Sequence, residues 1–261
     1  MTEQSFVKVS RQNNVLMVGL NRPEKRNAMP KSMMFELREI FSNIPDDVGA
    51  AVLYSTSEHF CSGLDLTQVK DQSVIDCFQF FRQWQETFRL IQFGHIPVVA
   101  ALSGAAIGAG LEMASACHIR VMAESAYFQL PEAARGLYVG LGASVRFPRL
   151  AGTALMMDMM LTGRPLPAHE CFARGVAQYV VPPGAAVDKA VELAAVAARN
   201  LPITNHAIIH ALPRIVEQGH DEGLFTEALV AAVAQSGAET AQRMDAFLNR
   251  KKTTQILKTT P

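Results

Sequence analysis

The sequence predicts an α/β fold, a strand-and-helix core followed by a helical C-terminal region. Short apolar runs, of the kind buried on both faces of a parallel sheet, alternate with helix-periodic segments over about the first 180 residues. From Ala185 onward the strand-like runs stop and helical segments follow one another. The 261 residues are 49% apolar and 18% charged, so the chain can bury enough surface to offset its ordering entropy, which excludes a disordered chain.

In order along the chain, Phe6–Val9 and Val15–Leu20 read as strands around a polar Gln12-Asn13-Asn14 turn. Pro30, whose missing N–H is harmless at a helix start, opens a helix in which Met33, Met34, Leu37, Ile40, Phe41 and Ile44 share one face. Ala50–Tyr54 and Ile96–Leu102 read as buried strands, with the Phe-rich helix Val74–Ile91 between them. Leu111–Cys117 is a helix, and His118–Ala123 and Val176–Val181 are further strands. Ala185–Arg199, Thr204–Gln218, Asp221–Gln235 and Ala238–Lys252 read as helices, with Pro213 kinking or splitting the second and Thr253–Pro261 fraying. Residues 1–184 are therefore expected to form the core and 185–261 a helical region.

Lys+Arg and Asp+Glu number 24 each, so there is no basic surplus to displace counterions from a nucleic acid. The polar start shows no apolar signal region. The apolar stretch from Ile96 to Ala116 is broken by Pro97, several glycines and Glu112, which argues against a membrane span. Cys61, Cys77, Cys117 and Cys171 show no metal-ligand spacing and read as reduced, mostly buried thiols in a cytoplasmic protein that holds no metal.

Three features offer chemistry. Phe60–Leu66 follows a buried strand, and its Ser62-Gly63 lets the backbone turn so that N–H groups face a ligand; an ordinary turn with Asp65 as an N-cap is the alternative. Ser103–Glu112 again joins a strand to a helix, so unpaired N–H groups and the positive helix end meet near residues 108–111. Met113 stands where a dinucleotide-binding glycine belongs, and the lysine of a phosphate-binding loop is missing, so the remaining choice is an anion-stabilising turn or close packing. Glu112 and Glu132 lie in segments otherwise poor in charge, where a carboxyl's pKa rises toward neutrality and suits proton transfer; each alone is better explained by solvent or by an Arg such as Arg135, and the two together shift the balance. No G-x-S-x-G elbow or H-E-x-x-H motif is present, His206 and His210 lack a matching carboxylate, and Met156–Met160 reads as helix packing.

These residues together resemble the crotonase superfamily, the enoyl-CoA hydratase/isomerase family. Leu20–Met29 is similar to its first CoA-binding segment and Phe60–Leu66 to its F-x-A-G-x-D-L signature. Gly104–Glu112 matches its glycine-rich stretch, Pro131-Glu132 with Gly136-Leu137 its P-E-x-x-x-G-L segment, and Leu161–Arg164 and Gly175–Ala177 two later landmarks.

The resemblance implies a crotonase-like ββα spiral core, with a C-terminal helical region that trimerises and a homo-oligomer that is a trimer or a dimer of trimers. It implies an enoyl-CoA hydratase that adds water across the C2=C3 bond of a 2-trans-enoyl-CoA, with coenzyme A as part of the substrate and no separate cofactor. Glu112 would be the base, Glu132 would manage the proton at C2, and the backbone N–H groups of Leu64 and Ala109 would form the oxyanion hole. CoA contacts would fall on Arg26, Ala28, Ser62, Asp65, Leu66 and Thr67, with basic residues at Arg250–Lys252 helping from a neighbouring subunit. The alternatives are 3,2-enoyl-CoA isomerisation, hydroxycinnamoyl-CoA hydration with cleavage, and a non-catalytic CoA- or RNA-binding scaffold. This sequence departs from the family pattern at the bulky Leu64, at Ala109 in place of glycine, and at Tyr138–Ala143, a segment expected beside Glu132. Tyr138 is either a substrate-facing hydroxyl or a packing residue.

Overall fold

The computed structural model describes residues 5–68 and 73–259, and beyond residue 249 only the course of the backbone. The first unit begins with a hairpin, β1 (Val7–Gln12) and β2 (Val15–Leu20), turned through Asn13 at φ 55°. Helix α1 (Lys31–Ser42) follows, buries Met33, Met34, Leu37 and Phe41, and leads to β3 (Ala50–Ser55). Then come α2 (Val74–Gln92), β4 (Val98–Leu102), β5 (Ala105–Ile107) and α3 (Ala109–Ala116). Strands β6 (Ile119–Ala123) and β7 (Tyr127–Gln129) precede helices α4 (Ala143–Ala151) and α5 (Thr153–Thr162). The unit ends with β8 (Pro165–Pro167), α6 (Ala168–Ala173), β9 (Tyr179–Val181) and α7 (Ala186–Ala197).

A six-stranded sheet runs β1-β2-β3-β4-β6-β9, parallel except for the opening hairpin, and a three-stranded sheet runs β5-β7-β8. The fully buried β2, β4 and most of β3 lie between neighbouring strands and helices, which explains their lack of polar alternation. Helix α2 anchors itself through Phe80, Trp84 and Phe88, four residues apart and edge-to-face at 6.5 and 5.5 Å between ring centroids. Its N-terminus is capped by Ser73, whose Oγ accepts the Asp76 N–H at 3.1 Å. Arg120, buried in β6, is satisfied by carbonyls: Nε donates to Val176 O and Nη1 to Cys117 O.

The compact units divide after Arg199 rather than after residue 184. The reason is α7, whose small buried residues Ala186, Ala190 and Ala194 recur every fourth position and let it lie closely on β3, β4 and β6. The apolar stretch Ile96–Ala116 is broken into β4, β5 and α3, and among the described residues no helix is long and apolar enough to cross a membrane.

The second unit is helical: α8 (Pro202–His210), α9 (Leu212–Ile215), α10 (His220–Gln235) and α11 (Ala238–Thr259). The expected helix Thr204–Gln218 is split between α8 and α9, with Pro213 in the first turn of α9. The expected fraying after Lys252 is corrected, because α11 continues to Thr259; residues 260–261 lie outside the described residues. His206 and His210 stack on one another, 4.1 Å between ring centroids, along one face of α8.

Candidate active site

The site is built from two turns held edge to edge. Past β3, the Cys61 N–H donates to Ala105 O at 3.0 Å and Cys61 O accepts the Ile107 N–H at 2.9 Å, which fastens this segment to β5. Two residues on, Gly63 O accepts the Met29 N–H at 2.8 Å and the Asp65 N–H donates to Met29 O at 3.0 Å. Both bonds of that parallel bridge come from the neighbours of Leu64, so its own N–H is left on the opposite edge, without a partner among the described residues. Gly63 makes the turn at φ 106°, where a side chain would be strained and its Cβ would lie 3.3 Å from Ile107 O and 4.0 Å from Ala109 N. The Leu64 turn and the first N–H of α3 are thus neighbours.

Ala109 opens α3, and its N–H, one of the orphans of a helix start, also has no partner among the described residues. Gly108 before it sits at φ 52° and donates its N–H to Gln129 O at 2.9 Å. A Cβ at Gly108 would collide with Glu132 Oε1, so the missing side chain is what allows that carboxylate to lie over the helix start.

One turn into α3, Glu112 is only 2% exposed. Its Oε1 accepts two N–H groups, from Leu141 at 2.8 Å and Ala143 at 3.0 Å. Burial nevertheless outweighs these bonds and, with the charge of Glu132 nearby, pushes the Glu112 carboxyl up to about 7. Glu132 starts the 3-10 turn Ala133–Arg135 and is half-buried. Its Oε2 is buried without a hydrogen-bond partner in the described structure, and burial raises its pKa, against the opposing charge of Arg135. Both acids line one cavity of about 740 Å³, with Leu64 and Ala109 on its wall. Phe81, Leu66, Leu137 and Val139 make much of the remaining lining, so the cavity offers apolar volume with two acids and two free N–H groups at one place.

The structure brings together Glu112, Glu132, Leu64, Ala109, Ser62, Leu66 and Tyr138 on this cavity, and it does not bring Arg26, Ala28, Asp65 or Thr67 there. Asp65 is committed elsewhere. It accepts the Arg22 guanidinium at 2.8 Å and the Thr67 hydroxyl at 2.7 Å, bonds that hold its carboxyl below the ordinary carboxylate range, with Thr67 the larger influence. It caps the turn Leu66–Gln68, so the simple capping alternative holds for this residue. Arg26 stands exposed at φ 49°, its carbonyl taking the Ser62 N–H at 3.0 Å, while buried Asn27 donates to Ser55 Oγ, His59 O and Phe60 O. The side chains of Arg250–Lys252 lie outside the described residues.

Of the two alternatives for Tyr138, packing does not hold: it is 69% exposed on the cavity rim, its hydroxyl accepting that of Ser144 at 3.2 Å. Of the segment Tyr138–Ala143 that is expected beside Glu132, residues Tyr138, Val139 and Gly140 share the cavity with Glu132, and Leu141 and Ala143 hold Glu112. Sequence reasoning missed this support because the donors are backbone N–H groups, which no side chain advertises. Burial pushes the thiols of Cys61, Cys117 and Cys171 up to about 12, so none of the three is a nucleophile near neutral pH. Among the described residues no three His, Cys, Asp or Glu converge on a possible metal position.

Residues 10–255 match the family model described as enoyl-CoA hydratase/isomerase. The chain is 30% identical over 254 residues to "Probable enoyl-CoA hydratase 2, mitochondrial" of Arabidopsis thaliana, covering 95% of this chain and 84% of that one. It is 29% identical to the 2,3-dehydroadipyl-CoA hydratase of Escherichia coli K12, covering 93% of this chain and 95% of the relative. A solved structure from Rhodopseudomonas palustris CGA009, given provisionally as an enoyl-CoA hydratase, superposes with a TM-score of 0.93 at 45% identity, covering 95% of this chain and 96% of that one. The enoyl-CoA hydratase of Bacillus anthracis gives 0.88 at 26% identity, covering 94% and 97%.

Proposed function

The chain belongs to the enoyl-CoA hydratase/isomerase family, and from that premise we propose that it adds water to the C2=C3 bond of a 2-trans-enoyl-CoA. The observation that carries this is the pairing of two pKa-raised glutamates with two unpartnered N–H groups on one cavity. Water held between the acids loses a proton to the Glu112 carboxylate as its oxygen bonds to C3. The π electrons move toward the thioester oxygen, and the Leu64 and Ala109 N–H groups receive the enolate charge. One such donor contributes about 3 kcal/mol to a transition state. Glu132, whose pKa burial raises, gives C2 its proton from its protonated form, so water is added in full and the two acids have exchanged protonation states.

The CoA portion would leave along the Arg26–Met29 edge, past Ser62 and Leu66, with Leu64 narrowing the acyl end. Subunits would assemble as trimers, or as pairs of trimers, through the second unit.

The test is loss of the conjugated enoyl-thioester absorbance on incubation with crotonyl-CoA and with longer and aromatic 2-enoyl-CoAs, with a 3-enoyl-CoA run alongside. Hydration of at least one 2-enoyl-CoA is expected, abolished by Glu112→Gln and by Glu132→Gln. No absorbance change across the panel, or shuttling of the 3-enoyl bond without hydration, overturns the proposal.

A further inference from the structure

Behind Glu112 lies a second layer of contacts that the reaction does not use directly. Helix α4 carries Arg146, whose Nη1 donates to Leu141 O at 2.8 Å and whose Nε donates to Gln92 Oε1 at 2.6 Å at the end of α2. The Leu141 and Ala143 N–H groups are the two that hold Glu112 Oε1. The bend between them is closed by the Arg146 N–H to Gly142 O at 2.9 Å, and Gly142 leaves room for the guanidinium that a Cβ would occupy. Both donors to Glu112 therefore sit on a three-residue segment clamped at its carbonyl by Arg146. Because both use Oε1, Oε2 is the oxygen left for the cavity and for a proton.

We infer that Arg146 is the positioning residue of Glu112: it fixes the Leu141–Ala143 clasp and supplies the positive charge that keeps Glu112 available as a carboxylate. The charge argument is closed by what else bears on these groups. Glu112, on α3, is faced by Glu132 from the turn after β7 and by Arg146 from α4. From α2 comes Gln92, which is neutral and engages Arg146 through its side chain. The acidic groups that bear on Arg146 are Glu112 and the Cys117 thiol, and the thiol is protonated at any pH below about 12. Glu112 is thus its one ionised counterpart. The Ala143 and Leu141 N–H bonds favour the Glu112 carboxylate more than the Arg146 charge does, so Arg146 acts on Glu112 both directly and through the donors it clamps.

This deepens the hydratase proposal, and its experiment needs no turnover. The carboxyl stretch of Glu112 is titrated by infrared difference spectroscopy, assigned by its absence in Glu112→Gln, in the wild type and in Arg146→Met, Arg146→Lys and Gln92→Leu. In Arg146→Met the ionisation constant of Glu112 should fall by at least about tenfold, moving its midpoint alkaline by about one pH unit. Arg146→Lys should restore most of that midpoint, while its point charge cannot make both hydrogen bonds, so any catalysed rate stays depressed in kcat rather than KM. Gln92→Leu, which keeps the charge but frees one side of it, should move the midpoint less. If Arg146→Met does not fold, Gln92→Leu decides the matter by the same readout. An unmoved Glu112 midpoint in folded Arg146→Met, or in Gln92→Leu when Arg146→Met does not fold, overturns the inference. Failure of every enoyl-CoA to react would overturn the hydratase proposal and leave this titration standing.

Discussion

Glu112 shows most plainly how a site residue works against the fold that holds it. An acid whose folded pKa is raised binds its proton more tightly when folded than when unfolded. Folding is therefore penalised as pH rises through the ordinary carboxylate range, and the penalty is complete above the folded value of about 7. Ionising a buried carboxyl so displaced costs on the order of 3 kcal/mol. Glutamine keeps the shape and the acceptor oxygen for Leu141 and Ala143 but not the charge. Glu112→Gln should accordingly melt at a higher temperature than the wild type at pH 8, with the gap closing near pH 5, while the proposed hydration is lost by several orders of magnitude. A variant less stable at pH 8 than at pH 5, relative to the wild type, would show that the N–H pair stabilises the charge more than burial opposes it. In the active protein, kcat/KM should rise with pH through a limb near 7, the region in which Glu112 becomes a base.

At the scale of elements, the site depends on where α3 begins. Gly108 and Gly175 both have positive φ, 52° and 73°, so alanine costs each about 1–2 kcal/mol of backbone strain. They differ in what the new methyl meets: nothing lies within 4 Å at Gly175, whereas at Gly108 it lands on Glu132 Oε1. Gly108→Ala should lose at least about a hundredfold in kcat by displacing one acid from the helix start, while Gly175→Ala should lose comparable stability and little activity. Thermal melts beside steady-state rates check the pair, and equal activity losses would mean that strain alone matters.

The same elements show what the sequence makes legible. Strands β2, β3, β4 and β6, and helices α1, α2 and α10, announce themselves through apolar runs or helical spacing and lie within about two residues of expectation. Strands β5, β7 and β8 do not, since three residues such as Ala105–Ile107 carry no period; backbone bonds from Cys61 and Gly104 fix β5 and β7, and β8 pairs antiparallel with β7. Helices α4 and α6 are not legible for a related reason, and α5 shows only through its Met156–Met160 run: the glycines Gly140, Gly142, Gly152 and Gly163 punctuate that stretch into pieces that look like loop. Of the site, the two acids and both turns were visible as residue types in unusual company. The support of Glu112 by Leu141, Ala143 and Arg146 was not, because it depends on backbone donors and on a fold that returns α4 against α3.

At the scale of the whole molecule, the question is what the second unit does with its apolar surface. On α10, Phe225, Leu229 and Val233 recur every fourth residue and all three are exposed, Phe225 to 74%. Val216, just after α9, is 76% exposed. Scattered exposed apolar residues need no explanation, but a stripe at helical spacing does. Burying three such side chains is worth roughly 5–9 kcal/mol, against a cost of association of about 4–15 kcal/mol. One copy of the contact is therefore marginal. A closed ring, in which each subunit presents its stripe to one neighbour and receives another, lets every subunit join two contacts, and a trimer is the smallest ring of that kind. Sedimentation at micromolar concentration should give three subunits or a multiple of three, with a melting temperature that rises with protein concentration. Leu229→Glu, a charge at the centre of the stripe, should yield monomers with a lower and concentration-independent melting temperature. With 24 basic and 24 acidic residues the assembly has no net charge to screen, so raising salt from about 0.1 to 0.5 M should leave its mass unchanged. A monomeric wild type, or a Leu229→Glu protein that keeps its assembly, would remove α10 from the interface and leave its stripe without a role in association.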